Sequence, residues 1–328
     1  MFVPHKYLDL VELSAATGKQ DLEQAEAELR QSAHNSMYFF FNTPQHHDFG
    51  HIASFVNKSL HMRIVTSSER NLIRLRIWLG YRLYKTFGSS GICRFGPRTV
   101  VKYTPTTRVA EAVNMEFIAS HTQIPLPRVH DVFIIGSRTY MVMDYIDAPE
   151  LTFTWHKLTN MQKKQFFVQL KDYINQMRAL EPSNPGHIQA ADGTGVFDSR
   201  LCLDNCPMGP FISSREFHTH LGHDCIRTLK THQQYWPLLD KMAEKQYRTV
   251  FSHSDISPRN VLARDGKILG IIDWECAGWY PEYWEYTRWL VSNYRSSLMW
   301  AEERDKIMDV YADELEIEDY LGSVYTRL

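Results

Sequence analysis

Apolar and polar positions divide the chain into a stretch that reads mainly as strands and a longer stretch with helical spacing. Leu72, Ile73, Leu75, Ile77, Trp78, Leu79 and Leu83 interleave with Arg70, Arg74, Arg76, Arg82 and Lys85. Ser67 or Ser68 is the expected cap of a helix running to about Lys85, with Glu69 in its first turn. Its apolar positions are spread around much of the helix, which predicts burial against a sheet rather than on a membrane surface. Residues 87–91 (FGSSG) end it as a turn. Residues 98–103 (RTVVKY) predict a strand, and residues 111–120 a helix with Val113, Phe117 and Ile118 to one side. Pro125 and Pro127 break the chain. Residues 129–135 and 139–145 predict two strands of a hairpin turning at Gly136-Ser137. Helical character then takes over: Thr159-Asn160-Met161-Gln162 has the spacing of a capping box. Phe166, Leu170, Tyr173, Ile174 and Met177 recur behind it at helical intervals. Residues 182–210, rich in Pro and Gly, predict a long loop, and loops of that length are often functional.

Residues 1–65 read as an extension: a charged Ala/Leu-rich helix over 21–31, the run Tyr38-Phe39-Phe40-Phe41, and the His46-His47-Asp48-Phe49-Gly50-His51 cluster. The cluster has no metal-ligand spacing and reads as a polar loop. The predicted organisation is an extension over 1–65, a strand-rich unit over 66–147 and a mainly helical unit over 148–328. The 328 residues allow about two domains or one two-lobed unit. With 36 Lys+Arg against 38 Asp+Glu, the formal charge of −2 argues against a nucleic-acid binder. Five cysteines, an odd and sparse set, do not form a disulfide framework. Cys202 and Cys206 lack the second ligand pair of a zinc site. The first residues lack a signal-peptide core, and no apolar run approaches a membrane span. The expected compartment is the cytoplasm.

Chemistry concentrates between residues 247 and 275. His253, Asp255 and Asn260 fall in the pattern H-x-D-x-x-x-x-N after a strand over 249–251. Asp265-Gly266 predicts a hairpin turn whose returning strand delivers Asp273. Phosphoryl transfer asks for metal held against the phosphates and an aligned hydroxyl. Asp255 is placed to accept the hydroxyl proton. Asn260 and Asp273 are placed as oxygen ligands for Mg²⁺.

These residues resemble the aminoglycoside phosphotransferase and choline kinase superfamily, and most of all its large fungal group of phosphotransferase-domain proteins. The resemblance spans about residues 70–300. It rests on Val100-Val101-Lys102-Tyr103, Glu111-Ala112, the run Ile124-Pro125-Leu126-Pro127-Arg128-Val129, the strand at 140–145, Gly209-Pro210-Phe211, the loop at 253–260 and the run IIDWECAGWYPEYWEY at 271–286. It implies an α+β, two-lobed protein-kinase-like fold, with a small antiparallel-sheet N-lobe and a larger, mainly helical C-lobe. It implies ATP and Mg²⁺, with Lys102 on the α/β-phosphates, Glu111 as its ion-pair partner (Glu116 being the rival), and the backbone of Met143, Asp144 and Tyr145 meeting adenine. No G-x-G-x-x-G precedes Lys102; Gly88, Gly91 and Gly96 are the glycines available. The more common residue at position 254 in the family is glycine.

Asp273-Trp274-Glu275 is followed almost at once by Pro281-Glu282, leaving no room for a protein-kinase activation loop. Ser257 stands where protein kinases usually carry lysine. Both features favour a small-molecule hydroxyl acceptor over a protein, with neither nucleic acid nor a membrane span involved. The alternatives are a nucleotide-binding pseudokinase or scaffold and, third, a protein Ser/Thr kinase. Trp279, Tyr280, Trp284 and Tyr286 are expected to pack the C-lobe core rather than to cage a cationic acceptor.

Overall fold

The computed structural model describes residues 63–84, 91–105, 110–136, 138–198, 201, 206–228, 230–293 and 298–325. The readings made for residues 1–62, for Cys202, for Ser137 and for most of the 87–91 turn lie outside them.

The N-terminal part is a five-stranded sheet of β1 (Arg63–Ile64), β2 (Ile92–Arg94), β3 (Thr99–Pro105), β4 (Val129–Ile135) and β5 (Arg138–Asp144), in the order β1-β4-β5-β3-β2. Its pairs are antiparallel except β1, which lies parallel to β4. The sheet therefore takes in two residues that precede position 66. Alternation along β3 sends Val101 to one face and Val100 and Lys102 to the other. Val101 joins Phe133, Val142, Cys93 and Ile73 in one core cluster, and Val100 joins Met141 and Met143 in the larger one.

Helix α1 (Ser67–Leu83) covers the Val101 face. Its cap is Thr66, not Ser67 or Ser68. The Thr66 hydroxyl accepts from the Glu69 N–H, and the Glu69 carboxylate accepts from the Thr66 N–H at 2.8 Å. A reciprocal box needs the carboxylate three positions after the cap, which selects position 66. Burial of α1 is also narrower than its sequence suggests. Ile73 is buried and Ile77 half-buried, while Leu72, Leu75, Trp78, Leu79 and Leu83 are exposed. Gly80 allows the helix to sit this close, because a Cβ there would lie 1.9 Å from the carbonyl oxygen of Arg94.

Helix α2 (Ala110–His121) lies between the sheet and the C-terminal part, and so buries Glu111, Ala112, Val113, Asn114, Met115 and Ile118. The C-terminal part is mainly helical: α3 (Leu151–Thr154), α4 (Asn160–Arg178), α5 (Ser214–His220), α6 (His223–Thr228), α7 (Trp236–Glu244), α8 (Trp284–Asn293), α9 (Leu298–Ile307) and α10 (Ala312–Tyr325). The expected box opens α4, with Thr159 as cap and Gln162 reaching back. Phe166, Leu170, Ile174 and Met177 then form its buried stripe. The architecture is thus the two-lobed α+β arrangement that the resemblance implied. No helix among the described residues is long and apolar enough to cross a membrane.

Two small sheets sit inside this helical part. β6 (Thr249–Ser252) pairs with β9 (Gly278–Pro281), and β7 (Val261–Arg264) with β8 (Lys267–Ile271). Asp265 and Gly266 turn the second pair with φ of 53° and 80°, the left-handed pair that a two-residue hairpin requires. The long loop is tied down rather than free-standing: Gln189 bridges Trp279, and Val196 bridges Met208. Trp274, Trp279, Trp284 and Trp289 are all buried, with Tyr280 stacked on Trp284 at 5.3 Å. These aromatics pack the core, as expected. Each large side chain buried in this way contributes about 2–3 kcal/mol to stability.

Candidate active site

The cleft between the two parts holds the residues that the sequence singled out. β3 carries Lys102 to the cleft face, and the first turn of α2 carries Glu111. The Lys102 ammonium donates to Glu111 Oε1 at 2.7 Å and to Asp273 Oδ1 at 2.6 Å, with Glu275 Oε2 at 4.0 Å. Glu111, not Glu116, faces this lysine. Burial alone would depress the lysine pKa; Glu111, Asp273 and Glu275 outweigh it and hold the ammonium well above the ordinary lysine range. Asp273 is likewise subject to burial, but the charge of Lys102 wins and lowers its pKa. Glu111 is pushed up to about 7 by burial, against the attraction of Lys102, with Asp273 and Glu275 adding to the rise.

Glu111, Asp273 and Glu275 bring one carboxylate oxygen each to within 4.8 Å of one another. With Glu111 ionised, three carboxylates against one ammonium leave an excess of two negative charges; with Glu111 protonated the excess is one. An all-oxygen, net-negative set fits a hard divalent cation. Among the sequence-derived metal ligands, Asp273 belongs to this set. Asn260 is engaged with the catalytic-loop aspartate: its amide donates to the Asp255 carbonyl at 2.9 Å and to Asp255 Oδ2 at 2.8 Å.

The catalytic-loop motif has a physical basis in one imidazole. His253 Nδ1 accepts from the Asp255 N–H at 3.2 Å, so its proton sits on Nε2, which donates to the Ile272 carbonyl at 3.1 Å. The Ile272 N–H donates in turn to the Asn260 carbonyl at 2.9 Å. His253 thereby locks the loop bearing Asp255 to the strand end bearing Asp273. Two residues of this junction, Ser254 and Asp273, hold left-handed backbone at φ of 67° and 69°. That conformation explains the preference for glycine at position 254. The Asp255 carboxylate receives both contacts of Arg259 Nη2, at 2.7 and 2.8 Å.

The segment expected to meet adenine, residues 143–145, has its backbone donors engaged in the sheet. The N–H of Asp144 donates to Arg128 and that of Tyr145 to Arg98, so both donors serve the sheet. Met143 is buried in the core, and the Asp144 carboxylate accepts from His130 at 2.6 Å.

Sequence reasoning missed the groups beneath the site. Glu285, buried on α8, accepts from the backbone N–H of His253 at 2.7 Å and of Ser254 at 3.0 Å. Burial raises its pKa, against His253 and those two donors. Arg288, one turn on, donates to the Ser254 carbonyl at 3.3 Å and faces Asp198 of the long loop at 3.4 Å. Asn114, fully buried, donates to the carbonyls of Ala277 at 2.8 Å and Trp274 at 3.3 Å, and accepts from the Ala191 N–H at 3.0 Å. It lies one turn from Glu111 on α2, so one helix fixes both the lysine partner and the loop after Asp273. A polar residue amid Val113, Met115 and Ile118 was the available signal for Asn114. An acid among the aromatics of 279–289, where Glu282 is the other, was the signal for Glu285.

The family model described as "Phosphotransferase enzyme family" matches residues 90–320. No curated protein matches the chain. Among solved structures, the chain is similar to a thermostable mutant of aminoglycoside phosphotransferase APH(4)-Ia in ternary complex with ADP and hygromycin B. That similarity has 16% identity, covers 80% of this chain and 92% of that one, and has a TM-score of 0.52. Macrolide 2′-phosphotransferase MphH from Brachybacterium faecium aligns over 72% of this chain and 81% of that one, with 14% identity and a TM-score of 0.42.

Proposed function

The chain belongs to the phosphotransferase enzyme family, and from that premise we propose that it moves the γ-phosphoryl group of ATP to a hydroxyl of a small molecule, with Mg²⁺. The carrying observation is Lys102 clasped between Glu111 and Asp273 across the cleft, with Asp255 locked to Asp273 through His253.

In this reading residues 66–147 and 148–328 act as two lobes closing on ATP, and residues 1–65 as an extension. Lys102 neutralises the α/β-phosphates, and Glu111 holds it in place. Asp273 and Asn260 would hold Mg²⁺, with Glu275 as a further carboxylate. The ion would supply charge neutralisation along the phosphates. Asp255 aligns the acceptor hydroxyl and accepts its proton as the oxygen attacks phosphorus. Arg259 keeps the Asp255 carboxylate oriented, and Glu285 and Arg288 fix the backbone beneath it. The backbone of Met143, Asp144 and Tyr145 is the segment that would meet adenine. That a relative in fold is described with ADP and a small-molecule antibiotic supports nucleotide use and a small acceptor. A polycationic aminoglycoside is not the favoured acceptor, because a strong acidic excess would suit it and the chain carries −2. The sparse, odd set of cysteines supports a cytoplasmic setting.

An ADP-release assay of the full chain against a panel of hydroxyl metabolites tests the proposal. Mg²⁺-dependent release with at least one acceptor, lost in Asp255→Ala, is the expected outcome. Turnover unchanged in Asp255→Ala would refute the part assigned to Asp255.

A further inference from the structure

Helix α1 has two apolar faces. One, with Ile73, Ile77 and Gly80, sits on the sheet. The other is a leucine stripe, Leu72, Leu75, Leu79 and Leu83, at intervals of 3, 4 and 4 residues. At 100° per residue these leucines fall within an arc of about 80°, turned about 130° from the sheet-facing side. They are 57%, 49%, 36% and 70% exposed, and Trp78 beside them is 56% exposed. A contiguous apolar stripe of this kind marks a contact surface. Arg76 and Arg82 border it at either edge, Arg70 and Arg74 lie on the far side, and α1 carries one acid, Glu69.

We infer that the stripe is a docking surface for the N-terminal extension of the same chain, specifically residues 21–31. Three observations select this occupant. Residues 21–31 (DLEQAEAELRQ) place Leu22, Ala25 and Leu29 at intervals of 3 and 4, which matches the stripe. Asp21, Glu23, Glu26 and Glu28 flank those positions, against the single base Arg30, and so complement the arginines of α1. Over residues 1–62 the balance is seven acids to four bases, a net −3 against the net +3 of α1. The tether also suffices. Gln31 is 32 residues before Arg63, enough for on the order of 100 Å of extended chain, whereas α1 is about 26 Å long. A second copy of the chain would instead bring two pairs of bordering arginines, Arg76 and Arg82, together, and like charges across an interface disfavour that pairing.

The experiment places a photo-cross-linker at the stripe in the full chain, as Leu79→p-benzoylphenylalanine, and maps the products by mass spectrometry. An intramolecular cross-link into residues 21–31 is expected, and it should disappear in the Leu22→Asp/Leu29→Asp background while the thermal melt of the described core persists. A cross-linked dimer would assign the stripe to a second copy and overturn the inference. Loss of the cross-link on adding phosphatidylserine vesicles, with the protein floating alongside them, would assign it to a membrane and overturn it as well. Absence of any cross-link into residues 1–62 would also overturn it. None of these readouts depends on catalysis, so the inference and the proposed activity fail separately.

Discussion

Ser254→Gly is expected to stabilise the protein, although it alters the residue next to the proposed base. Ser254 holds φ of 67°, a conformation costing a side-chain-bearing residue about 1–2 kcal/mol. Its hydroxyl is buried without a hydrogen-bond partner among the described residues, at a cost of about 1–3 kcal/mol. Glycine removes both costs and adds about 0.5–1 kcal/mol of chain entropy. The net gain is about 2 kcal/mol, a rise in melting temperature of roughly 3–5 °C. Ser254→Ala separates the two contributions: it removes the hydroxyl but keeps the left-handed strain, so it should gain less than glycine. Urea denaturation of the three proteins reads the difference directly. A loss of stability in Ser254→Ala would mean that the hydroxyl is satisfied. A loss in Ser254→Gly would mean that the backbone is not left-handed.

Two further outcomes follow from buried groups. His218 hydrogen-bonds Tyr283 at 2.9 Å, and burial, then His223 and Arg215, lower its pKa to about 3. The unfolded histidine takes a proton near 6.5 and the folded one does not. The stability it supports is therefore complete above about pH 6.5 and lost as pH falls towards 3. From pH 6.5 to 5.0 the loss is about 2 kcal/mol, and a His218→Gln variant should show a flatter stability–pH curve by that amount; an unchanged slope would refute the assignment. Asn114→Ala orphans two carbonyls and one N–H, so it should cost about 2–5 kcal/mol in denaturant titrations. It should also weaken Mg²⁺-dependent nucleotide binding, and a variant with stability and binding intact would show that α2 does not position the loop after Asp273.

What the sequence made legible was what repeats locally. β3, α2, the β4–β5 hairpin and the Asp265-Gly266 turn follow from alternation, helical spacing and turn chemistry, which act within a few residues. Lys102, Glu111, Asp255 and Asp273 stand out in the sequence because phosphoryl transfer asks for particular residue types at particular spacings, and the fold brings them together. Asn114, Glu285 and Arg288 do not, because their partners are backbone groups 31 to 163 residues away, and nothing in a local window encodes such a partner. The cap of α1 lies one or two residues before the expected Ser67 or Ser68 because Thr66, Ser67 and Ser68 are all competent caps, and only the position of Glu69 decides among them. The bare leucine stripe was read as buried because apolar positions around a helix do not say which of two faces meets the sheet.

Calorimetric titration of MgATP into the wild type, Asp273→Asn and Asp255→Asn separates the roles proposed for the two aspartates. Wild type and Asp255→Asn should bind with similar affinity, because Asp255 is the residue proposed to face the acceptor. Asp273→Asn should lose the Mg²⁺-dependent part of binding, because its carboxylate pairs with Lys102 and is the proposed anchor of the cation. Equal affinity in both variants, or no binding by the wild type, would contradict that division.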